Sequence, residues 1–187
     1  TSYTATHVDT RENGIWFGDE VVSTSYSVTD DFYSYYGINR NAPINAIIAK
    51  GIDVSYAQGE IDWNAVKESG MVDFAIIRAG YGRENGQTDA QFERNYSECR
   101  RLGIPVGLYW YSYAVSADEA LQEAVLCLKT IAGKHLDYPL FIDIEEPEQL
   151  NKVTLNTVAD AFCKTVSSAG YIAGLYCSTS YINEYLD

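Results

Sequence analysis

The segment Tyr138-Pro139-Leu140-Phe141-Ile142-Asp143-Ile144-Glu145-Glu146 closes an apolar, strand-length run with two carboxylates one residue apart. Strand side chains alternate with period two, so Asp143 and Glu145 project from the same face. Their Cα atoms then lie roughly 6.5–7 Å apart, near enough to act together on one bond. Glycoside hydrolysis needs such a pair. One carboxylic acid protonates the leaving oxygen while negative charge stabilises an oxocarbenium-like transition state. Asp53, at the end of an earlier apolar run, supplies a third acid. Mutual repulsion and burial raise the proton affinity of at least one member of such a cluster. Glu145 is the candidate for the protonated general acid, with Asp143 and Asp53 ionised. Glu146 and Glu148 fit solvated acids beyond the strand end.

The elements that must position these acids are legible from residue 47 onward. Apolar runs of strand length at 47–54, 74–79, 106–113, 140–144 and 172–177 alternate with helical patterns at 63–69, 90–102, 117–132 and 155–169. Asp62, the pair Thr88-Asp89, and Ser116 with Glu119 are helix-start signals, the last a capping box. Gly70, Gly103, Gly133 and Gly170 each follow a helix, where a left-handed residue favours glycine. Four βα repeats and a fifth strand predict parallel strands covered by helices. Ligands of such folds bind at the carboxyl ends of the strands. Those ends carry Asp53, Arg78, Tyr111 with Tyr113, Asp143 with Glu145, and Tyr176. Arg78 either steadies one of the acids or forms a structural ion pair.

Residues 1–46 differ from the rest. A hairpin with a Gly-Asp turn is expected over 15–22, and a linker over 39–43. The segment is an N-terminal extension or the tail of a preceding module, and a candidate cover for an open sheet edge. The chain opens on Thr and lacks a signal-peptide pattern, which suggests trimming or a start inside a longer protein. A helix start is expected over 180–186.

Composition excludes several classes. The net charge of −13 opposes nucleic-acid binding, which needs clustered Lys and Arg, and equally a polybasic membrane patch. No apolar stretch approaches the ~18 residues of a membrane span. Cys99, Cys127, Cys163 and Cys177 lack ligand spacing, and His7 and His135 stand apart from them, so a zinc site is not expected. The cysteines read as core residues rather than a disulfide framework. A magnesium or calcium site among the acids is an alternative. Gly80-Tyr81-Gly82 is a lone G-x-G without the residues of a phosphate loop, and no Gly-x-Ser-x-Gly elbow occurs. The 16 tyrosines and 3 tryptophans suit a sugar-binding surface as well as half-buried strands.

Several longer motifs are specific. Gly51-Ile52-Asp53-Val54-Ser55-Tyr56-Ala57-Gln58-Gly59 with Ile61-Asp62-Trp63, then Phe74 through Gly82, resemble the opening of glycoside hydrolase family 25, the N-acetylmuramidase lysozymes. Asp89, Phe92 and Asn95, Gly103 through Ala114, Pro139 through Glu145 and Gly170 through Tyr176 continue the likeness in order. The resemblance implies an α/β fold, an irregular (β/α) barrel of TIM-barrel type over residues 47–187, here incomplete at its C-terminus. Family members carry further strands, another active-site aspartate and a Trp-Gln segment. It also implies hydrolysis of the β-1,4 bond between N-acetylmuramic acid and N-acetylglucosamine in peptidoglycan, without metal or other cofactor, outside the cell or at the wall. By resemblance Glu145 is the acid/base, Asp143 orients the substrate's acetamido nucleophile, and Asp53 is the first-strand aspartate. Tyr81, Tyr111, Tyr176 and Arg78 are expected at the substrate. Two rivals are a non-catalytic glycan-binding module and a chitinase-like hydrolase, the latter disfavoured by the absence of an Asp-x-x-Asp-x-Asp-x-Glu run.

Overall fold

A computed structural model describes residues 49–149 and 151–178, together with the backbone of residues 4–5 and 15–16. Strands β1 (Thr4–Ala5) and β2 (Ile15–Trp16) are two residues each. The main strands are β3 (Ala49–Val54), β4 (Phe74–Tyr81), β5 (Val106–Tyr111), β6 (Leu140–Asp143) and β7 (Ala173–Tyr176). From β3 to β7 they lie side by side in chain order, all parallel, as a curled half-barrel. β1 pairs in parallel with β7, and β2 in parallel with β3. The remaining residues of the expected hairpin, the linker and the final helix start lie outside the described residues.

Helices α1 (Trp63–Ser69), α2 (Phe92–Leu102), α3 (Ala117–Thr130) and α4 (Lys152–Ser168) are the expected crossovers. The Asp62 carboxylate caps α1 through Asn64 N and Ala65 N. Gly70 and Gly103, at φ of 63° and 64°, end α1 and α2 in the left-handed region. At α3, Ser116 Oγ accepts from Glu119 N, but the Glu119 carboxylate reaches back to Val115 N rather than to Ser116. α4 begins three residues before the expected 155, because Asn151 caps it through Thr154 N. Asp89 opens α2 with Oδ1 accepting from Gln91 N just ahead of the helix, while its Oδ2 serves the site described below.

β4, β5 and β6 are buried on both faces at their amino ends, whereas β3 begins with half-buried Ala49 and exposed Lys50. The helix-facing side holds the main core, with Trp63, Phe92, Trp110, Phe162, Ile77 and Leu108 all nearly inaccessible. All four cysteines are buried and unpaired, Cys99, Cys127 and Cys163 on the helices. The concave side holds a smaller floor of Phe74, Ile76 and Phe141, against which Ala49, Tyr109 and Tyr138 pack. Phe74 and Tyr138 stack there at 4.4 Å.

Glycines make room for that floor. Gly51 faces the ring of Phe74, and Gly174 faces the ring of Phe141. A methyl group at 174 collides with the ring's Cδ1 and Cε1, close to its root, so rotation of a side-chain tip does not relieve it. Gly174→Ala is therefore expected to lower unfolding free energy by about 1–3 kcal/mol, the usual cost of overpacking. Urea denaturation checks this, and Phe141→Leu in the same chain should recover part of the loss.

Candidate active site

Strand register sets the concave face in layers. Asp53 of β3 pairs with Ile76 of β4; Arg78 pairs with Tyr109 of β5, and Tyr109 with Phe141 of β6. One layer higher, Tyr111, Asp143 and Tyr176 lie side by side at the carboxyl ends of β5, β6 and β7. These layers enclose a cavity of about 210 Å³, bordered by Asp53, Arg78, Tyr111, Asp143, Glu145 and Tyr176. Ile76, Tyr109 and Phe141 form the rest of its wall. Six of the seven residues expected from the sequence thus meet at one place.

Tyr81 does not border the cavity. A register shift between Arg78 and Gly80 inserts an extra residue into β4 and carries Tyr81 level with Tyr111. Its ring meets Tyr113 edge-on at 6.4 Å, and the Arg78 guanidinium lies 5.6 Å from its centroid. Tyr81 therefore belongs to an aromatic rim with Tyr113 and the exposed Tyr56. Period-two alternation also decides the third strand, which the sequence left open. Tyr109 and Tyr111 line the cavity while Trp110 enters the helix-side core and donates from Nε1 to Gly82 O at 2.9 Å.

The three acids differ in environment. Asp143 is 5 % exposed, whereas Asp53 and Glu145 are exposed. Burial first, then the charges of Glu145 and Asp53, push the Asp143 carboxyl well above its ordinary range, while Arg78 pulls the other way. The expected ionised state of Asp143 is thus opposed by burial and by its neighbouring acids. The strand ends at Asp143, so Glu145 lies beyond the sheet and is exposed. Asp143 Oδ1 is buried without a hydrogen-bond partner, an acceptor available to a ligand donor.

Arg78 has both of the roles weighed from sequence. Its Nε donates to Asp89 Oδ2 at 2.7 Å, and it stacks over Tyr56 at 4.7 Å. It also borders the cavity. Buried Asp89 accepts further from Tyr56 N at 3.0 Å and Gln91 N at 2.9 Å. It thereby ties the rim to the strand that carries Arg78. Asp89→Asn keeps an acceptor but removes the ion pair, with an expected cost of about 2 kcal/mol, in the range for hydrogen bonds to charged groups. Thermal unfolding checks it.

Other residues of the site had not been assigned roles from sequence. Glu146, read as solvated, is half-buried, and its Oε1 accepts from Tyr111 Oη at 2.8 Å. Burial and this bond raise the Tyr111 hydroxyl, so Tyr111 stays protonated as the donor. Burial, aided by Asp143 and Glu145, pushes the Cys177 thiol up to about 12, which leaves no thiolate at neutral pH. Glu123 and Gln149, both inaccessible, support the loops behind the acids. Glu123 carried a signal: it shares the buried face of α3 with Ala120, Ala124 and Cys127.

The acids gather over the carboxyl edge of a parallel α/β sheet, where ligands of such folds bind, and comparison identifies the family. The profile of "Glycosyl hydrolases family 25" matches residues 52–187, and the chain belongs to this family. The chain is 35% identical over 142 residues to the "Autolytic lysozyme" of Clostridium acetobutylicum, covering 74% of this chain and 40% of that protein. It is 32% identical over 181 residues to "Uncharacterized protein YegX" of Escherichia coli K12, covering 87% and 65%. The modular autolysin LytC of Streptococcus pneumoniae superposes with a TM-score of 0.65 at 29% identity, over 72% of this chain and 33% of that one. A family 25 glycosyl hydrolase from Bacillus anthracis superposes at 0.62 and 22% identity, over 72% and 63%, which speaks to the fold alone. The chain spans between two fifths and two thirds of the length of these two curated relatives.

Proposed function

We propose that this protein hydrolyses the β-1,4 bond between N-acetylmuramic acid and N-acetylglucosamine in bacterial peptidoglycan. The observation that carries this reading is the meeting of Asp53, Asp143 and Glu145 around one cavity. Family membership supplies the reaction class. Glu145 is the general acid that protonates the leaving oxygen, and afterwards the base that activates water. Its exposure on the open side of the cavity suits a group that must reach a long polymer.

Asp143 orients the substrate's acetamido group, whose carbonyl oxygen attacks the anomeric carbon as internal nucleophile. The unpartnered Oδ1 is the acceptor for the acetamido N–H. A donor there favours the charged carboxylate, so substrate binding itself draws Asp143 toward ionisation. The resulting anion stabilises positive charge that grows on the acetamido group and the sugar ring. Asp53 adds negative potential from the neighbouring strand. Arg78, Tyr111 and Tyr176 contact sugar within the cavity, and Tyr81 does so at the rim. The reaction needs no metal or other cofactor.

In the same reading residues 47–187 form the catalytic unit, a barrel of TIM-barrel type, and residues 1–46 an extension or linker. The protein works outside the cell or at the wall. Borohydride reduction of the fragments released from peptidoglycan tests the bond assignment. Reduced muramic acid is expected at the new chain ends. Reduced glucosamine would reassign the bond, and binding without any new reducing end would identify a glycan-binding module.

A further inference from the structure

Behind the acids lies a chain of buried hydrogen bonds that the reaction as described does not use. Gln149, within a single 3₁₀ turn over Pro147–Gln149, is fully buried. Its Oε1 accepts from Glu146 N at 3.0 Å. Its Nε2 donates to Ala114 O at 2.8 Å and to Ser112 Oγ at 3.3 Å. One side chain thus bridges the segment after β6 to the segment after β5, across 35 to 37 residues of sequence.

The far side of the bridge is fixed in turn. Ser112 Oγ also accepts from Ala114 N at 3.2 Å, which uses both of its lone pairs. At the next residue the Glu123 carboxylate on α3 takes the Tyr113 N–H through Oε1 at 2.9 Å, while Glu123 Oε2 is buried without a hydrogen-bond partner. The main chain contributes as well, through Ser112 N donating to Asp143 O at 2.9 Å and Ile144 N donating to Tyr176 O at 2.9 Å.

These bonds bracket Glu145. Ile144 is anchored to β7 on one side of it, and the Glu146 N–H is held by Gln149 on the other. The peptide between 145 and 146 lies past the end of β6 at Asp143, outside the strand register. We infer that Gln149 is a positioning residue for Glu145: its amide fixes the peptide from which the acid departs, and Ala114 O with Ser112 Oγ holds that amide in place. The role rests on the reading of Glu145 as the general acid. Glutamine suits the position because it supplies an acceptor and two donors at once, whereas a carboxylate supplies no donor.

The test uses the protein with Glu145→Gln, Gln149→Ala and Gln149→Glu, measuring turnover of solubilised peptidoglycan against pH, fragment affinity by calorimetry, and thermal unfolding. Wild-type turnover with loss in Glu145→Gln establishes the underlying reading. Absence of both would sink that reading without reference to Gln149. Given activity, Gln149→Ala is expected to lower turnover at least tenfold. Binding stoichiometry and affinity should stay within threefold, and the alkaline limb of the pH profile should move, because a displaced Glu145 changes its distance from Asp143. Gln149→Glu should regain activity relative to wild type as pH falls, since its protonated carboxyl can again donate to Ala114 O. If Gln149→Ala does not fold, Gln149→Glu decides. Turnover within twofold of wild type, or a loss explained by a reduced number of binding-competent molecules with an unmoved pH profile, would overturn the inference.

Discussion

Glu145→Gln is expected to abolish clearing of a peptidoglycan suspension, with turnover reduced by about 10²–10⁴-fold, the usual contribution of a positioned general acid. Affinity for wall fragments should change little. The amide is close in shape to the carboxyl, and Glu145 is an exposed residue whose replacement leaves the core intact. The loss is assigned to proton transfer because a glycosidic oxygen is a poor leaving group until it is protonated. The wild-type rate should accordingly decline on the alkaline side as the acid loses its proton, with binding less affected. Equal clearing by both proteins would remove Glu145 from the mechanism.

Asp143→Asn is expected to separate activity from stability. Turnover should fall by about 10²–10³-fold, comparable with the loss of one preorganised electrostatic contact in other enzymes. The asparagine amide cannot carry the negative charge that the transition state requires. Stability should move the other way. The folded-state pKa of Asp143 lies above its unfolded value, so the protein binds more protons folded than unfolded between the two. Its contribution to stability is complete below the ordinary carboxylate range and is lost as pH rises through the raised value. The variant lacks this loss. Near pH 4 the two proteins should unfold alike, whereas at pH 7 the variant should be the more stable, because its neutral amide escapes the penalty that burial places on the charged carboxylate. Glu123 is raised by burial in the same direction, but it is present in both proteins and cancels in the comparison. A variant less stable at pH 7 than at pH 4, relative to wild type, would contradict the assignment of strain to Asp143.

This opposition has a physical logic. A buried carboxyl with one unpartnered oxygen is a poor structural choice, since an apolar residue would pack there at lower cost. Its value lies in the bound state, where a donor arrives to complete it. The neighbouring Arg78–Asp89 pair does the reverse. It is internally satisfied, so it can shape the cavity wall at little cost.

Much of this site is legible in the chain because parallel strands end on a common edge. Asp53, Arg78, Tyr111, Asp143 and Tyr176 each close an apolar run, and the topology alone brings such ends together. Tyr81 escaped the rule because an extra residue in β4 changes the alternation, and nothing in Arg78-Ala79-Gly80-Tyr81 announces it beyond the glycine. Asp89 resembled a helix cap, yet the loop after β4 runs back antiparallel to it, with Gly80 bridged to Thr88, and delivers the carboxylate to Arg78. Gln149 and Glu146 were hidden for a different reason. Their partners, Tyr111 at the end of β5 and Ser112 and Ala114 just after it, lie some 35 residues earlier, and only closure of the β5–β6 register joins them. The unequal burial of the acids was hidden too, because strand periodicity shows which face a side chain takes but not where the strand stops. Asp143 is its last residue and Glu145 is past the end.

The most direct measurement is a crystal structure of the Glu145→Gln protein soaked with a short peptidoglycan glycan. The account predicts a β-1,4 linkage lying over the carboxyl ends of β3 to β7, its bridging oxygen about 2.6–3.2 Å from the position-145 amide. The acetamido N–H of the adjoining sugar should be hydrogen-bonded to Asp143. A glycan seated elsewhere on the molecule, or one crossing this cavity with its linkage out of reach of residues 53, 143 and 145, would contradict it.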